Sequence, residues 1–291
     1  MPEDRSILTR AAGPADRVLS YGPAPWQLVE FRFAAGRTAL ANAPGQPPLT
    51  SAPGRPLLVL VHGGFWRPQY DRAHLRPMAE ALAAAGWTTA LVEYDRVPGE
   101  PDRTVGDIAL ALRRVPALTD RHDGRVVVLG HSAGGQLALW AAAQADAGLR
   151  AGAQTDPALS GARADPGLSA VVALGAVADL RLADELGLDE GAVRAFLGAD
   201  AATRPDLDPR LSPPRVPITL IHGRDDAIVP PSLAQSYVRA HPDARLVTVE
   251  GAGHYALIDP TQVAWRTVLA ELERVSGPSP DVAAETSAAG D

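Results

Sequence analysis

Short apolar segments recur along the chain, and each is bounded by glycine, proline or charged residues. Runs of this length and composition are typical of strands that are buried on both faces of a parallel sheet. Five segments have this character, namely 57–62 (LLVLVH), 88–93 (TTALVE), 125–130 (RVVVLG), 169–175 (SAVVALG) and 216–221 (VPITLI). We therefore predict core strands at these five positions.

Stretches rich in alanine and leucine, with helical spacing of their apolar residues, separate the core strands. The clearest are 72–85, 103–114 and 133–147. An alternation of strand and helix predicts a parallel sheet joined by right-handed crossovers, and hence the α/β class. Three further elements are expected: an antiparallel edge pair at 17–21 and 27–33, a last strand at 244–249, and a closing helix over 260–275.

The length of 291 residues suits one α/β domain, which we expect to span residues 1–275. Residues 177–214 lie between two core strands, carry one predicted helix over 183–198, and return through a proline-rich stretch. This insertion is too short for an independent lid, so we expect it to form a modest helical cap over the active site. The tail at 276–291 has the composition of a solvated segment and is predicted to be disordered.

The composition excludes several chemistries. The chain contains no cysteine, which removes disulfides, thiolate nucleophiles and thiolate metal sites. It contains no lysine either, which excludes a Schiff-base lysine and the lysine of a phosphate-binding P-loop. A net charge of -7 and a pI near 5.5 argue against a nucleic-acid or anionic-membrane partner.

Two further absences shape the expectations. No segment has the ~18 consecutive apolar residues of a membrane span, and the opening residues MPEDRSILTR lack the apolar core of a secretory signal. We therefore expect a cytoplasmic protein without a membrane span. The seven histidines show no H-E-x-x-H spacing, so no catalytic metal is expected.

The strongest chemical signal is the segment Gly130-His131-Ser132-Ala133-Gly134, which follows a predicted strand and opens an alanine-rich helix. On such a tight strand-to-helix turn, small neighbours allow a serine to project its hydroxyl above the sheet as a nucleophile. The N-terminus of the following helix also favours a developing oxyanion. A bare Gly-x-Ser-x-Gly pattern is often only a glycine-rich turn, but this strand and helix context favours Ser132 as a nucleophile.

A second glycine-rich segment, HGGFW at 62–66, directly follows the apolar run of the first core strand. It resembles the HGGG-type oxyanion loop of esterases and lipases, in which glycines let backbone N–H groups approach a substrate carbonyl. The resemblance implies the N–H groups of Gly64, Phe65 and Ala133 as oxyanion donors. We expect His62 to hold the loop by hydrogen bonding rather than to take part in catalysis.

Two later segments supply candidates for an acid and a base. The segment HGRDDAIVP at 222–230 follows a core strand, and the carboxyl end of a strand is where an orienting acid belongs. Spacing alone leaves Asp225 and Asp226 both open. His254, within GAGHY, follows the last predicted strand and is the candidate general base. The chain order serine, aspartate, histidine is the one that a nucleophile of this strand-turn-helix type requires.

Together these four blocks resemble the α/β-hydrolase superfamily, within its esterase and lipase division, from about residue 20 to 275. The resemblance implies an α/β-hydrolase fold, with a mostly parallel eight-stranded sheet, helices on both faces and a short helical cap. The family pattern H-G-x-x-D-x-x-V-P selects Asp226 as the acid and leaves Asp225 as a solvated or loop-capping residue. The segments HGGFW, GHSAGG and GAGHY are more narrowly similar to the kynurenine formamidase-like branch, which hydrolyses N-formyl aryl amides and related esters.

One segment, VEYDR at 92–96, departs from the family pattern. Relatives often have an arginine directly after the tyrosine, and here that position is Asp95. If that arginine braces the oxyanion loop in relatives, then either Arg96 does so here or the bracing differs.

The expected activity is that of a serine hydrolase that needs no cofactor. Its substrate would be a small-molecule carboxylic ester, or an N-acyl or N-formyl aryl amide, cleaved through an acyl-enzyme. Trp66 and Tyr255 are candidate substrate-binding residues that would stack on an aromatic leaving group, with core packing as the alternative for both. Two other functions stay open: an acyltransferase or cyclase with the same triad, and a non-catalytic ligand receptor on the hydrolase scaffold. The oligomeric state is also open, with a homodimer among the options.

Overall fold

Eight strands form one sheet in the computed structural model, which describes residues 3–34, 55–145 and 167–277. In chain order they are β1 (Arg17–Ser20), β2 (Leu28–Arg32), β3 (Leu57–Val61), β4 (Thr89–Val92), β5 (Val126–His131), β6 (Leu168–Leu174), β7 (Ile218–Gly223) and β8 (Arg245–Val249). Their order across the sheet is β1-β2-β4-β3-β5-β6-β7-β8. Strands β3 to β8 run parallel, and β1 and β2 form the antiparallel pair at one edge. The predicted, mostly parallel sheet is confirmed.

Helices cover both faces of this sheet. In chain order they are α1 (Arg76–Ala84), α2 (Pro101–Arg114), α3 (Ala133–Gln144), α4 (Leu180–Glu185), α5 (Leu188–Leu197), α6 (Ser232–Ala240) and α7 (Ala264–Val275). Successive residues of β3 alternate between two apolar cores, one shared with α2, α3 and α6 and the other with α1 and α7. Both faces are therefore buried, which explains why the strands are uninterrupted apolar runs.

The local sequence explains where these helices begin and end. Helix α2 has Pro101 at its first position, where a missing backbone N–H costs nothing. Asp102 lies in its first turn and Arg113 in its last, so both charges complement the helix dipole. Helix α3 is buried around most of its circumference, which suits its alanine-rich sequence.

The cap between β6 and β7 differs from the prediction of one helix over 183–198. It contains two helices, α4 and α5, followed by short 3-10 turns at Ala201–Thr203 and Pro209–Leu211. Asp179 starts α4 by accepting a hydrogen bond from the N–H of Leu182 at 2.9 Å. The backbone is left-handed at Gly187, with φ 62°, and again at Asp189, Glu190 and Gly191 inside α5, so the break between the helices covers residues 187–191. The apolar spacing runs through both of them, so periodicity alone did not reveal the break.

Three sequence predictions concern the C-terminal tail, a membrane span and the number of domains. Of the tail predicted at 276–291, residues 278–291 lie outside them. Within the described ranges, no helix is long and apolar enough to cross a membrane. The single-domain organisation over 1–275 stays a prediction.

Candidate active site

The carboxyl ends of the parallel strands bring the predicted site residues to one edge of the sheet. His62 follows β3, Ser132 follows β5, Asp226 follows β7 and His254 follows β8. Parallel strands all end on the same side, so segments that are distant in sequence meet there. The four sequence blocks therefore converge on one place.

Ser132 forms the turn between β5 and α3. Its backbone has φ 58° and ψ -119°, a conformation that residues other than glycine rarely adopt. The N–H of Ser132 donates to the carbonyl of Leu174 at 2.9 Å, which ties the turn to the end of β6. A Cβ at Gly134 would collide with the carbonyls of Val61 and His62. The turn and the oxyanion loop can therefore lie this close only with glycine at 134.

His254 and Asp226 form the acid and base pair that the sequence predicts. The His254 Nδ1 and Asp226 Oδ2 atoms are 2.7 Å apart, and both residues are buried. The other carboxylate oxygen, Oδ1, accepts hydrogen bonds from the N–H groups of Ile228 at 3.0 Å and Val229 at 2.8 Å. Asp225 is exposed. The structure thus brings Asp226, and not Asp225, to the histidine.

The environment of Asp226 keeps its carboxylate ionised. Burial alone would raise the pKa of Asp226, but hydrogen bonds from His222 and His254 and from the Val229 N–H outweigh burial and hold that pKa well below its ordinary value. An ionised acid fixes the proton of His254 on Nδ1, which leaves Nε2 as the acceptor that a general base needs.

Gly175 shows how closely the pair approaches the nucleophile turn. A Cβ at Gly175 would lie 3.0 Å from His254 Nδ1 and 3.2 Å from Asp226 Oδ2. The residue before it, Leu174, accepts the hydrogen bond from the N–H of Ser132. The acid, the base and the serine therefore meet at the end of β6.

His131, to which the sequence assigned no role, lies directly beside His254. It is buried, its Nε2 donates to the His254 carbonyl oxygen at 3.3 Å, and the two ring centroids are 4.6 Å apart. Burial and the neighbouring His254 lower the pKa of His131 well below its ordinary value. His131 is therefore neutral at neutral pH and places no positive charge beside His254. Its position in the serine motif carries no signal for this contact.

His222 is a second residue whose contact the sequence reasoning missed. Its Nε2 donates to the Val229 carbonyl at 2.8 Å and lies 3.4 Å from Asp226 Oδ2. The donor therefore braces the loop that carries the acid. The spacing of four residues between His222 and Asp226 is a signal that could have indicated this contact.

His62 holds the oxyanion loop through both ring nitrogens. Its Nδ1 lies 2.8 Å from the Gly63 carbonyl, and its Nε2 lies 3.0 Å from Glu93 Oε1. The Tyr94 ring stacks on His62 with centroids 4.3 Å apart, and the Tyr94 hydroxyl donates to the His62 carbonyl at 2.7 Å. The expected structural role of His62 matches these contacts.

Glu93 is the centre of a buried ionic cluster behind this loop. Its carboxylate pairs with Arg72 at 3.2 Å and with Arg96, and it accepts the hydrogen bond from His62. Burial alone would raise the pKa of Glu93, but His62 and Arg96 outweigh burial and hold that pKa far below its ordinary value. Arg96 thus braces the loop through Glu93, while Asp95 pairs with Arg103. Sequence reasoning considered Arg96 and overlooked Glu93.

The loop itself follows a left-handed path. Gly64, Phe65 and Trp66 have φ values of 112°, 47° and 55°. Trp66 is only 2% exposed, stacks on Phe196 at 4.6 Å, and donates from Nε1 to Gln136 at 3.1 Å. These contacts support the core-packing alternative for Trp66, because Phe196 covers one face of its ring, and its contact with a substrate stays a prediction. The donor role of Gly64, Phe65 and Ala133 stays a prediction.

Tyr255 remains at the edge of the site. It is partly buried, and its ring meets that of His254 edge to face at 5.2 Å. Burial raises the pKa of Tyr255, so its hydroxyl is protonated at neutral pH. Its contact with a substrate stays a prediction.

Comparison with known proteins identifies the class of this fold and site. The chain belongs to the alpha/beta hydrolase family, whose model matches residues 58–266. A curated relative is the probable carboxylic ester hydrolase LipM of Mycobacterium tuberculosis, which is 27% identical over 198 residues. That match covers 62% of this chain and 44% of the relative, so the chain spans less than half the length of that protein.

Two solved structures share the fold across nearly the whole chain. Esterase B from Lactobacillus rhamnosis, inhibited by a tributyrin phosphonate, has a TM-score of 0.67 and 18% identity and covers 91% of this chain and 88% of its own. An acetyl ester-xyloside bifunctional hydrolase from Caldicellulosiruptor lactoaceticus has a TM-score of 0.68 and 18% identity and covers 90% and 96%. At these identities the two structures show a shared fold only.

Proposed function

We propose that this chain is a serine hydrolase that cleaves a small carboxylic ester, or an N-acyl or N-formyl aryl amide, through an acyl-enzyme. The observation that carries this proposal is the buried His254–Asp226 pair, 2.7 Å apart, at the strand end to which the Ser132 turn is bonded. The names of the relatives, which are carboxylic ester hydrolases and esterases, support the ester class.

Acylation starts at the Ser132 hydroxyl. Nε2 of His254 takes the hydroxyl proton as the oxygen attacks the substrate carbonyl, and a tetrahedral intermediate forms. Asp226 keeps the other histidine proton on Nδ1 and stabilises the imidazolium. The imidazolium then returns its proton to the departing alcohol or amine, which leaves an ester between Ser132 and the acyl group.

Deacylation repeats these steps with water. His254 removes a proton from water as the water oxygen attacks the acyl carbonyl, and the proton passes to the Ser132 oxygen when the acid departs. In both halves the negative oxygen is stabilised by the N–H groups of Gly64, Phe65 and Ala133. The left-handed path of the loop at Gly64 and Phe65 and the N-terminal position of Ala133 in α3 support this assignment.

The similarity of HGGFW and GAGHY to the kynurenine formamidase-like branch favours an N-formyl aryl amide within this substrate class. The test is a panel of p-nitrophenyl acetate and N-formylkynurenine, assayed with the wild-type chain and with Ser132→Ala. We expect both substrates to be cleaved by the wild type alone. Cleavage of the ester without the formamide would remove the formamidase type and keep the esterase.

A fluorophosphonate probe separates an enzyme from a receptor on the same scaffold. We expect covalent labelling of the wild type at Ser132 and none of Ser132→Ala. A folded wild type that neither reacts with the probe nor cleaves any panel member would overturn the proposal. Added alcohol tests for acyl transfer, because a transferase forms a new ester in competition with the free acid.

A further inference from the structure

The N-terminal segment of the chain packs onto the loop that carries His254. Ile7 is 1% exposed and belongs to the same apolar core as α1 and α7. Arg10 pairs with both carboxylate oxygens of Asp259, five residues after the histidine, with Nη2 2.9 Å from Oδ2. These two contacts fix the segment 3–10, which we call the strap, against the histidine loop.

At the start of the strap, Glu3 reaches the backbone of the histidine itself. Its Oε1 accepts a hydrogen bond from the N–H of His254 at 2.7 Å. The carboxylate also lies against Gly253, where a Cβ would be 2.5 Å from Glu3 Oε2 and 2.6 Å from Oε1. The absence of a side chain at Gly253 therefore leaves the space that the Glu3 carboxylate occupies.

We infer that Glu3 is a positioning residue for His254, an inference that rests on the proposed function of His254 as general base. Asp226 holds the imidazole at Nδ1, and Glu3 holds the same residue at its backbone N–H. With the ring fixed at one end of the side chain and the backbone at the other, the direction of Nε2 is defined. His254 is 1% exposed, so without Glu3 its N–H becomes a buried donor that lacks this acceptor, and the loop shifts to find another.

The contact with the backbone distinguishes Glu3 from the other groups around the histidine. The charged and titratable groups that face His254 from the packed elements are Asp226, His131, Tyr255 and Glu3, with Arg5 stacked over the Tyr255 ring at 5.9 Å. Of these, only Glu3 contacts the backbone N–H of His254.

Four variants of the full chain, with any affinity tag at the C-terminus, test the inference on p-nitrophenyl acetate. Glu3→Ala loses the acceptor, and we expect kcat to fall about 10-fold with KM within about twofold. Glu3→Gln keeps an acceptor oxygen and loses the charge. We expect it to retain kcat within about threefold, because the amide oxygen still accepts a hydrogen bond from the His254 N–H. Melting temperatures accompany each measurement.

The third and fourth variants provide an independent disruption and a control. Gly253→Ala places a Cβ where the Glu3 carboxylate sits, so it should reproduce the kcat loss of Glu3→Ala. The double variant with both Glu3→Ala and Gly253→Ala should have a kcat less than about twofold below that of either single variant, because the two substitutions remove the same contact. Asp120→Ala removes an exposed acid from the loop before β5, outside the strap, and should leave kcat unchanged.

The outcomes separate this inference from the proposed function. A wild type that cleaves the ester, with Ser132→Ala inactive and both Glu3→Ala and Gly253→Ala within twofold of wild type, would overturn the inference alone. A fully additive double variant would overturn it as well. A folded wild type without any hydrolysis or probe labelling would overturn the proposed function and the inference together.

Discussion

The two loops that flank the nucleophile turn are held by different forces. The loop after β3 is held from behind by buried ion pairs around Glu93, which meets the loop at His62. In the loop after β8, hydrogen bonds to Asp226 and Glu3 orient His254, and Arg10 pairs with Asp259 five residues further on. The first is an electrostatic brace of the backbone, and the second orients one side chain.

This difference predicts whether substitutions around each loop should affect stability, reaction rate or both. Removing one partner from a buried charge cluster leaves other charges unpaired, so the β3 side should lose stability as well as rate. Hydrogen bonds that orient a catalytic side chain are needed chiefly by the reaction, so the β8 side should lose rate with little change in stability. Four predictions follow this contrast, from the largest effect to the smallest.

Replacing the nucleophile between the two loops should have the largest effect. We expect Ser132→Ala to lower kcat by ~10⁴-fold or more while the melting temperature stays near that of the wild type, because only the attacking oxygen is lost. The measurement is kcat on p-nitrophenyl acetate together with thermal unfolding. Ser6→Ala, at an exposed serine, is the control. Near-normal turnover by folded Ser132→Ala would rule out the proposed mechanism.

On the β8 side, we expect Asp226→Asn to lower kcat by ~10³–10⁴-fold, because an amide no longer holds the Nδ1–H tautomer of His254. Asp225→Asn changes the adjacent, exposed acid and should alter kcat by less than about twofold. The same kinetic assay on the two variants measures this contrast. A larger loss in Asp225→Asn would reassign the acid.

On the β3 side, we expect Glu93→Gln to lower the free energy of unfolding by about 3–5 kcal/mol, because Arg96 loses its buried carboxylate partner, while Arg72 keeps its second partner, Glu30. Chemical denaturation measures the loss, and kcat should fall about 10-fold or more as the oxyanion loop moves. Glu100→Gln removes an exposed carboxylate from a surface pair with Arg103 and should cost less than about 1 kcal/mol.

The same variant has a signature in pH. The pKa of Glu93 is held below its ordinary value in the folded state, so its contacts stabilise the fold at neutral pH. That stabilisation is lost as pH falls through the ordinary carboxyl range towards the folded pKa. The wild type should therefore lose stability more steeply than Glu93→Gln below about pH 5. Parallel curves for the two proteins would contradict the assigned role of the carboxylate.

The smallest expected effect concerns acyl length. Phe196 of the cap stacks on Trp66 of the loop after β3, and both helices of the cap are short. Each methylene that the cap leaves unburied forfeits ~0.8 kcal/mol of binding, so octanoate should gain little over butyrate. We therefore expect kcat/KM not to rise from p-nitrophenyl acetate and butyrate to octanoate. A maximum at octanoate would contradict the expected small acyl pocket.

Sequence reasoning predicted the elements of the sheet closely, because strands buried on both faces are continuous apolar runs between breakers. It failed in the cap, where the break at residues 187–191 divides a stretch with unbroken helical spacing. It also left open whether Trp66 contacts the substrate or packs in the core, because the sequence pattern of an aromatic residue next to a site motif is the same in both cases. The stack on Phe196 favours the core, and that contact spans 130 positions of sequence.

The sequence by itself determined the serine turn, the glycine-rich loop, and the strand ends from which Asp226 and His254 project. Each of these depends on local backbone geometry, which glycine, apolar runs and short motifs report directly. The family pattern already selected Asp226 over Asp225, and only the tertiary structure decided that Glu93 and Glu3 hold the two loops. Those contacts join elements 31 and 251 positions apart, and chain packing alone brings such residues together.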